Sequence, residues 1–277
     1  MLVTGANGQL GRDLTTFCKE AGDEVLALSK NELDIRDAAS VAAAVAQSHP
    51  DVIVNCAAWT AVDVCESDPE RAASINGAAV AGLAEIAEES GAHLVQISTD
   101  YVFDGSKAEP YSETDEPNPN SVYGRSKLLG EVNAGSAATV MRTSWVYSTH
   151  GANMVATICR LMQGESTLQF VDDQVGYPSY TGDLAVAIRD LARDRSSGVW
   201  HCTNAGAVSW HGFAQEVLLA AGEDPARVLP IKTDELDPPR PATRPANSRL
   251  SNDRYNATYS PLPDFRHNLQ SVVASYL

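Results

Sequence analysis

Three short strings in this chain hold residue types that can act together on one small molecule: Gly5-Ala6-Asn7-Gly8-Gln9-Leu10-Gly11, Ser98-Thr99 and Tyr123-Gly124-Arg125-Ser126-Lys127. The first can cradle a pyrophosphate. Glycine at 5 permits a tight turn, glycine at 8 lets backbone N–H groups approach the anion, and glycine at 11 lets a helix pack on the strand before it. Asn7, Gln9 and Leu10 belong to the same cofactor-binding loop. Tyr123 and Lys127 stand at i and i+4, so on a helix they share a face. With a hydroxyl from Ser98 or Thr99 they supply what a ketone reduction needs: a donor to orient the oxygen, a phenol to protonate the alkoxide, and an ammonium. A free phenol titrates at about 10, and a neighbouring ammonium is expected to lower that value. Lys127 can also hold the ribose hydroxyls of a nicotinamide nucleotide. In this order on one chain, the strings predict a nicotinamide-dependent reductase.

The elements that must position these residues follow a strand–helix rhythm. Short apolar runs at Leu2–Thr4, Glu24–Leu28, Val52–Asn55, His93–Ser98 and Thr139–Thr143 predict strands. Alanine-rich amphipathic stretches at about Gln9–Ala21, Ala38–Gln47, Pro69–Ser90 and Val122–Ala134 predict helices. The alternation predicts an α/β fold, a doubly wound parallel sheet of Rossmann type, with ligands beyond the carboxyl ends of the strands. The glycine loop, Asn55-Cys56-Ala57-Ala58 and Ser98-Thr99 fall at such ends, which makes Cys56, Ala57 and Ala58 candidate cofactor neighbours. Residues 1–145 are expected to bind the dinucleotide. Residues 146–277 are expected to form a smaller, mainly substrate-binding lobe, with a strand near 198–203 returning to the main sheet. Helices are predicted at Gly182–Arg195 and Ser209–Ala221, while Asp237–Pro245 is too rich in proline for regular structure. Glu109–Asn120, with three prolines and four acids, is expected as an exposed loop near the site mouth.

Which nicotinamide cofactor fits is read from the end of the second strand. An NAD site ordinarily places an acid there for the ribose hydroxyls. Here the string is Ala27-Leu28-Ser29-Lys30-Asn31, with a lysine and no carboxylate. Lys30 favours NADPH, with NADH possible; the competing reading is a solvated surface lysine. Asp34 could lie against the adenine with Ile35 packed on its face, or could simply start the next helix.

Composition narrows the function classes. The chain has 277 residues, 44% hydrophobic and 20% charged, with 36 acidic against 20 basic residues and a formal net charge of −16. That charge repels nucleic-acid backbones and anionic membranes, so neither is expected as a partner. The five scattered cysteines lack metal or redox spacing and read as thiols of a reducing cytoplasm. The six histidines form no ligand cluster, and no metal site is assigned. The glycine loop begins so early that a signal peptide is not expected, and no apolar run is long enough for a membrane span.

Seven strings make the chain resemble the extended short-chain dehydrogenases/reductases and, within them, the dTDP-4-dehydrorhamnose reductase family. They are Val3–Gly11, Asn55–Asp63, Ser98–Gly105, Tyr123–Lys127, Arg142–Tyr147, Val171–Gln174 and Arg244–Ser248. Ser98-Thr-Asp-Tyr-Val-Phe-Asp-Gly105 discriminates best. Sugar-nucleotide dehydratases of that superfamily resemble Thr-Asp-Glu there, whereas Tyr101 stands here, which argues for ketone reduction without dehydration. The resemblance implies Thr99, Tyr123 and Lys127 as the catalytic triad, Thr99 rather than Ser98 holding the family's position. It implies sugar contacts from Asp100, Tyr101 and Trp145, and puts Thr60 and Val62 at the cofactor–substrate junction. Trp145 could instead be a core aromatic. Arg244 could neutralise a nucleotide diphosphate or be a plain surface arginine. The implied activity is NADPH-dependent reduction of dTDP-4-dehydro-6-deoxy-L-mannose to dTDP-L-rhamnose by a monomer or homodimer, the last step of dTDP-rhamnose biosynthesis. Some relatives dimerise through a metal held by acids; Asp13 stands near one such position, and Mg2+ is left open. Two other classes stay open here: a non-catalytic dinucleotide-binding subunit like that of methionine adenosyltransferase, and a reductase or epimerase of another nucleotide-sugar.

Overall fold

The computed structural model describes residues 1–164 and 167–277. In chain order the elements run β1 (Leu2–Thr4), α1 (Gln9–Glu20), β2 (Leu26–Leu28), α2 (Ala38–Ser48), β3 (Val52–Asn55), α3 (Val62–Cys65), α4 (Pro69–Ala73), α5 (Ala79–Ser90), β4 (His93–Thr99), α6 (Val122–Ala134), β5 (Thr139–Thr143) and β6 (Val146–Tyr147). There follow α7 (Met154–Leu161), β7 (Leu168–Val171), β8 (Val175–Gly176), β9 (Ser179–Tyr180), α8 (Thr181–Arg193), β10 (Gly198–His201), β11 (Val208–Ser209), α9 (Trp210–Ala220), β12 (Val228–Ile231), α10 (Asp253–Thr258) and α11 (Arg266–Ala274).

Six strands form one sheet in the order β10-β5-β4-β3-β1-β2, every neighbouring pair parallel. The chain winds from β1 outward to β2 and then crosses to β3 on the other side. This reversal leaves a crevice at the carboxyl ends of β1 and β3, where an open α/β sheet takes its ligand. Strands β3 and β5 are buried along their whole length, as expected where helices cover both faces. Helix α8 returns from the second half to pack Leu184, Ile188 and Leu191 into the core that also holds Val3, Leu10 and Leu14. A second core gathers Tyr147, Ile158, Phe213, Phe265 and Leu269 beneath three short strand pairs. Among the described residues no helix is long and apolar enough to cross a membrane, and all five cysteines are free.

The single helix expected over Pro69–Ser90 is broken by a π-helical turn at Ser74–Ala78. The cause is tertiary. Asn76 accepts from the Trp59 N–H (2.8 Å) and donates to the Trp59 carbonyl (3.0 Å) and Ser126 Oγ (2.9 Å). Gly77 lies so close to Leu129 that an added Cβ would come within 2.5 Å of its Cδ2. The extra residue in the turn lets α6 dock tightly, and α6 carries Tyr123 and Lys127.

Candidate active site

Helix α1 opens at Gly8, whose extended backbone (φ −72°, ψ 169°) caps the helix without any side-chain hydrogen bond. Its first N–H groups therefore face the crevice, the arrangement that binds a phosphate. Gly5 sits at φ +65°, and a Cβ there would come within 2.7 Å of the Ala57 backbone; a Cβ at Gly11 would lie 2.5 Å from the Gly5 carbonyl. A Cβ at Gly8 meets only the Gly5 carbonyl, at 3.2 Å. Two glycines thus set the turn and the helix packing, while the third leaves open space for a ligand.

Two cavities meet along this loop. The larger, about 540 Å³, runs from Asn7, Gly8, Gln9, Leu10 and Gly11 past Cys56, Ala57, Ala58, Thr60 and Val62 to the catalytic candidates Thr99, Tyr123 and Lys127, with Asp100, Tyr101 and Trp145 on its wall. The smaller, about 240 Å³, shares Asn7, Gly8, Cys56, Ala57 and Ala58 and extends past Gly5 to Lys30, Asp34 and Ile35. The two share five lining residues and together join nearly every residue expected from sequence, and the glycine cradle and uncapped helix end fit a dinucleotide. Arg244 lies outside the lining of both. Its guanidinium makes a two-pronged pair with Asp63, at 2.9 and 2.7 Å.

The reacting end lies deep in the fold. Thr99, Tyr123 and Lys127 are all buried. Ser121 caps α6 by accepting from the Gly124 N–H at 3.0 Å, which fixes where Tyr123 enters the helix. Lys127 Nζ donates to the Ile97 carbonyl at 2.6 Å. Burial lowers the Lys127 ammonium to about 8, against the pull of Glu131. The Tyr123 phenol is raised, not lowered as expected. Burial pushes it well above its ordinary value, the Asp100 carboxyl adds to the rise, and the Thr99 hydroxyl opposes it. The ammonium is turned to the Ile97 carbonyl, and desolvation of the phenolate wins.

Thr99 is engaged by its own neighbours. Its hydroxyl donates to Asp100 Oδ1 (2.9 Å) and accepts from the Tyr101 N–H (3.2 Å), so its proton is already engaged. Asp100 is buried, its Oδ2 makes no hydrogen bond among the described residues, and burial raises its carboxyl to about 6. Tyr101 stands edge-on to Tyr123, ring centres 5.6 Å apart.

Several lining residues were not foreseen. Trp210, at the start of α9, stacks on Trp145 with ring centres 3.6 Å apart. Trp145 itself has φ +46°, a left-handed backbone that bulky residues rarely adopt. Arg36 and Arg71 join Lys30 around the smaller cavity. Arg36 grips Asp34 through two nitrogens (2.9 and 2.5 Å), which holds the Asp34 carboxyl at about 2, and Arg71 lies over the Trp59 ring at 4.5 Å. Lys30 and Arg36, six residues apart in so acidic a chain, were a signal present in the sequence. Only the folded chain brings Arg71 beside the other two.

A family model described as "RmlD substrate binding domain" matches residues 1–277. The chain is 42% identical to a dTDP-4-dehydrorhamnose reductase of Streptomyces griseus, over 99% of this chain and 92% of that protein. It is 41% identical to a dTDP-4-keto-6-deoxy-D-glucose reductase of Streptomyces niveus, over 85% and 83%. A crystal structure of dTDP-4-dehydrorhamnose reductase from Bacillus anthracis in complex with NADP superposes with a TM-score of 0.93 at 34% identity, covering 99% of this chain and 98% of that one. With the glycine cradle, the Tyr123–Lys127 pair and a match along its full length, the chain belongs to the RmlD substrate binding domain family.

Proposed function

We propose that this protein is an NADPH-dependent ketoreductase that converts dTDP-4-dehydro-6-deoxy-L-mannose to dTDP-L-rhamnose, the last step of dTDP-rhamnose biosynthesis. The observation that carries the reading is the single groove that runs from the uncapped end of α1 to buried Thr99, Tyr123 and Lys127. NADPH, when bound, supplies the hydride. The phenol of Tyr123 gives the proton to the ketone oxygen, so hydride and proton together complete the alcohol. Thr99 orients that oxygen once its hydroxyl turns from Asp100. Lys127 holds ribose hydroxyls, and once its ammonium turns from the Ile97 carbonyl it favours the phenolate left behind. The cations Lys30, Arg36 and Arg71 suit the extra phosphate of NADPH. Asp100, Tyr101, Val62, Trp145 and Trp210 enclose the sugar, and Tyr101 stands where dehydration would need a second carboxyl beside Asp100.

In this reading residues 1–145 with β10 hold the cofactor, and residues 146–277 mainly hold the nucleotide-sugar. The enzyme acts in the cytoplasm as a monomer or homodimer. A second reading, reduction of dTDP-4-keto-6-deoxy-D-glucose, is favoured by the Streptomyces niveus relative. Purified protein with NADPH is offered each 4-keto sugar in turn, and kcat/KM is compared. The proposal expects the L-sugar to be preferred. Preference for the D-sugar selects the second reading, and tight NADPH binding with turnover of neither leaves a dinucleotide-binding subunit.

A further inference from the structure

Successive turns of one face of α6 meet the last three residues of β4. Tyr123 lies beside Thr99, Lys127 Nζ donates to the Ile97 carbonyl at 2.6 Å, and Glu131 accepts from Ser98 Oγ at 2.5 Å. Glu131 is buried, and it is also gripped by Arg142 of β5 through Nε (2.9 Å) and Nη2 (2.6 Å). Behind Arg142 stand His201 of β10, at 3.4 Å, and the Phe103 ring, at 5.1 Å. An ion pair this deep gives little net stability over an apolar pair of the same shape, so its presence calls for another role.

The charges around Lys127 indicate what that role is. The thiol of Cys56, beyond the end of β3, is raised by burial to about 12 and is neutral at working pH. Burial lowers His201 to about 3, so it too is neutral. Among the described residues, Glu131 is the one carboxylate whose charge opposes the desolvation of Lys127. Ser98 Oγ and Arg142 aim that carboxylate, and Tyr123 stands one turn before Lys127 on α6.

We propose that Glu131, fixed by Arg142 and Ser98, is a positioning residue: it locks the register of α6 on β4 so that Tyr123 and Thr99 stay opposed, and it keeps the Lys127 ammonium charged. This rests on the ketoreductase reading for its kinetic consequences but not for its effect on cofactor binding.

The test follows kcat, the Kd of NADPH and thermal stability across pH for the wild type and three variants. Glu131→Gln removes the negative charge that faces Lys127 and leaves Arg142 without its counter-ion. The alkaline limit of kcat and of NADPH binding should then move down by about one pH unit. Arg142→Met leaves the buried carboxylate without its cation, which favours its neutral form, so the same limit should move down as well. The double variant Glu131→Leu/Arg142→Met replaces the pair by apolar groups and should keep its fold while still showing the downward shift. A merely structural pair predicts lower melting temperatures for the singles with pH profiles superimposable on the wild type, and that result overturns the proposal. If the singles do not fold, the double decides, and an unshifted limit in it is fatal. If the wild type binds NADPH but reduces no sugar, the ketoreductase reading fails, and the NADPH-binding curves still judge Glu131.

Discussion

The two ends of the cofactor groove are built on opposite principles. At the reacting end Thr99, Tyr123 and Lys127 are buried, the Thr99 hydroxyl is tied to Asp100 and the Lys127 ammonium to the Ile97 carbonyl of β4. At the far end Lys30, Arg36 and Arg71 are exposed, and the Arg36–Asp34 pair faces solvent. A buried charge is strongly coupled to its neighbours, whereas an exposed charge is screened and its loss is mild. The reacting end should therefore answer substitution in kcat by orders of magnitude. The far end should answer in cofactor affinity by small factors.

The largest effect is expected at the phenol. Tyr123→Phe should bind NADPH normally yet lose kcat by about a hundred-fold or more, since it removes the proton donor without disturbing the cavity. Steady-state kinetics beside a fluorescence titration checks both halves; undiminished turnover would remove Tyr123 from the mechanism. Next comes pH. Lys127 carries its proton below about 8 and loses it above, so kcat and NADPH affinity should both decline as pH rises through that value. A profile flat to well above it would contradict the buried ammonium. At the far end, Arg36→Ala should raise the KM for NADPH by about five-fold and leave that for NADH unchanged. Equal effects on the two cofactors would show that Arg36 does not meet the extra phosphate. The smallest effect is expected at Lys30→Asp, a shift toward NADH of only a few-fold at an exposed position. No change in the NADPH/NADH ratio would put Lys30 in solvent.

The same contrast explains how much was legible in the sequence. Val122–Ala134 and Thr139–Thr143 appear with the expected bounds, because the Ser121 cap before α6 and the short apolar run of β5 are local signals. The groove is assembled from strand ends, and strand ends follow from the order of elements. What escaped depends on distant partners. The π-turn at Ser74–Ala78 is set by Trp59, Ser126 and Leu129, none of them near in sequence. Trp210 meets Trp145 only when the second lobe folds back. Helices Met154–Leu161 and Arg266–Ala274 are short, and their apolar faces make sense only against the second core. The phenol was misjudged for a related reason: spacing tells which charges are neighbours, but the burial that outweighs them comes from the whole fold.

The central claim is that the groove delivers a hydride to C4 of a 4-keto nucleotide-sugar while Tyr123 supplies the proton. The direct measurement is turnover of dTDP-4-dehydro-6-deoxy-L-mannose with NADPH deuterated at the transferring position of the nicotinamide. The account predicts dTDP-L-rhamnose with one deuterium at C4, formed in step with oxidised cofactor, and almost none from Tyr123→Phe. NADPH that binds tightly but stays reduced, or a product without deuterium at C4, would contradict it.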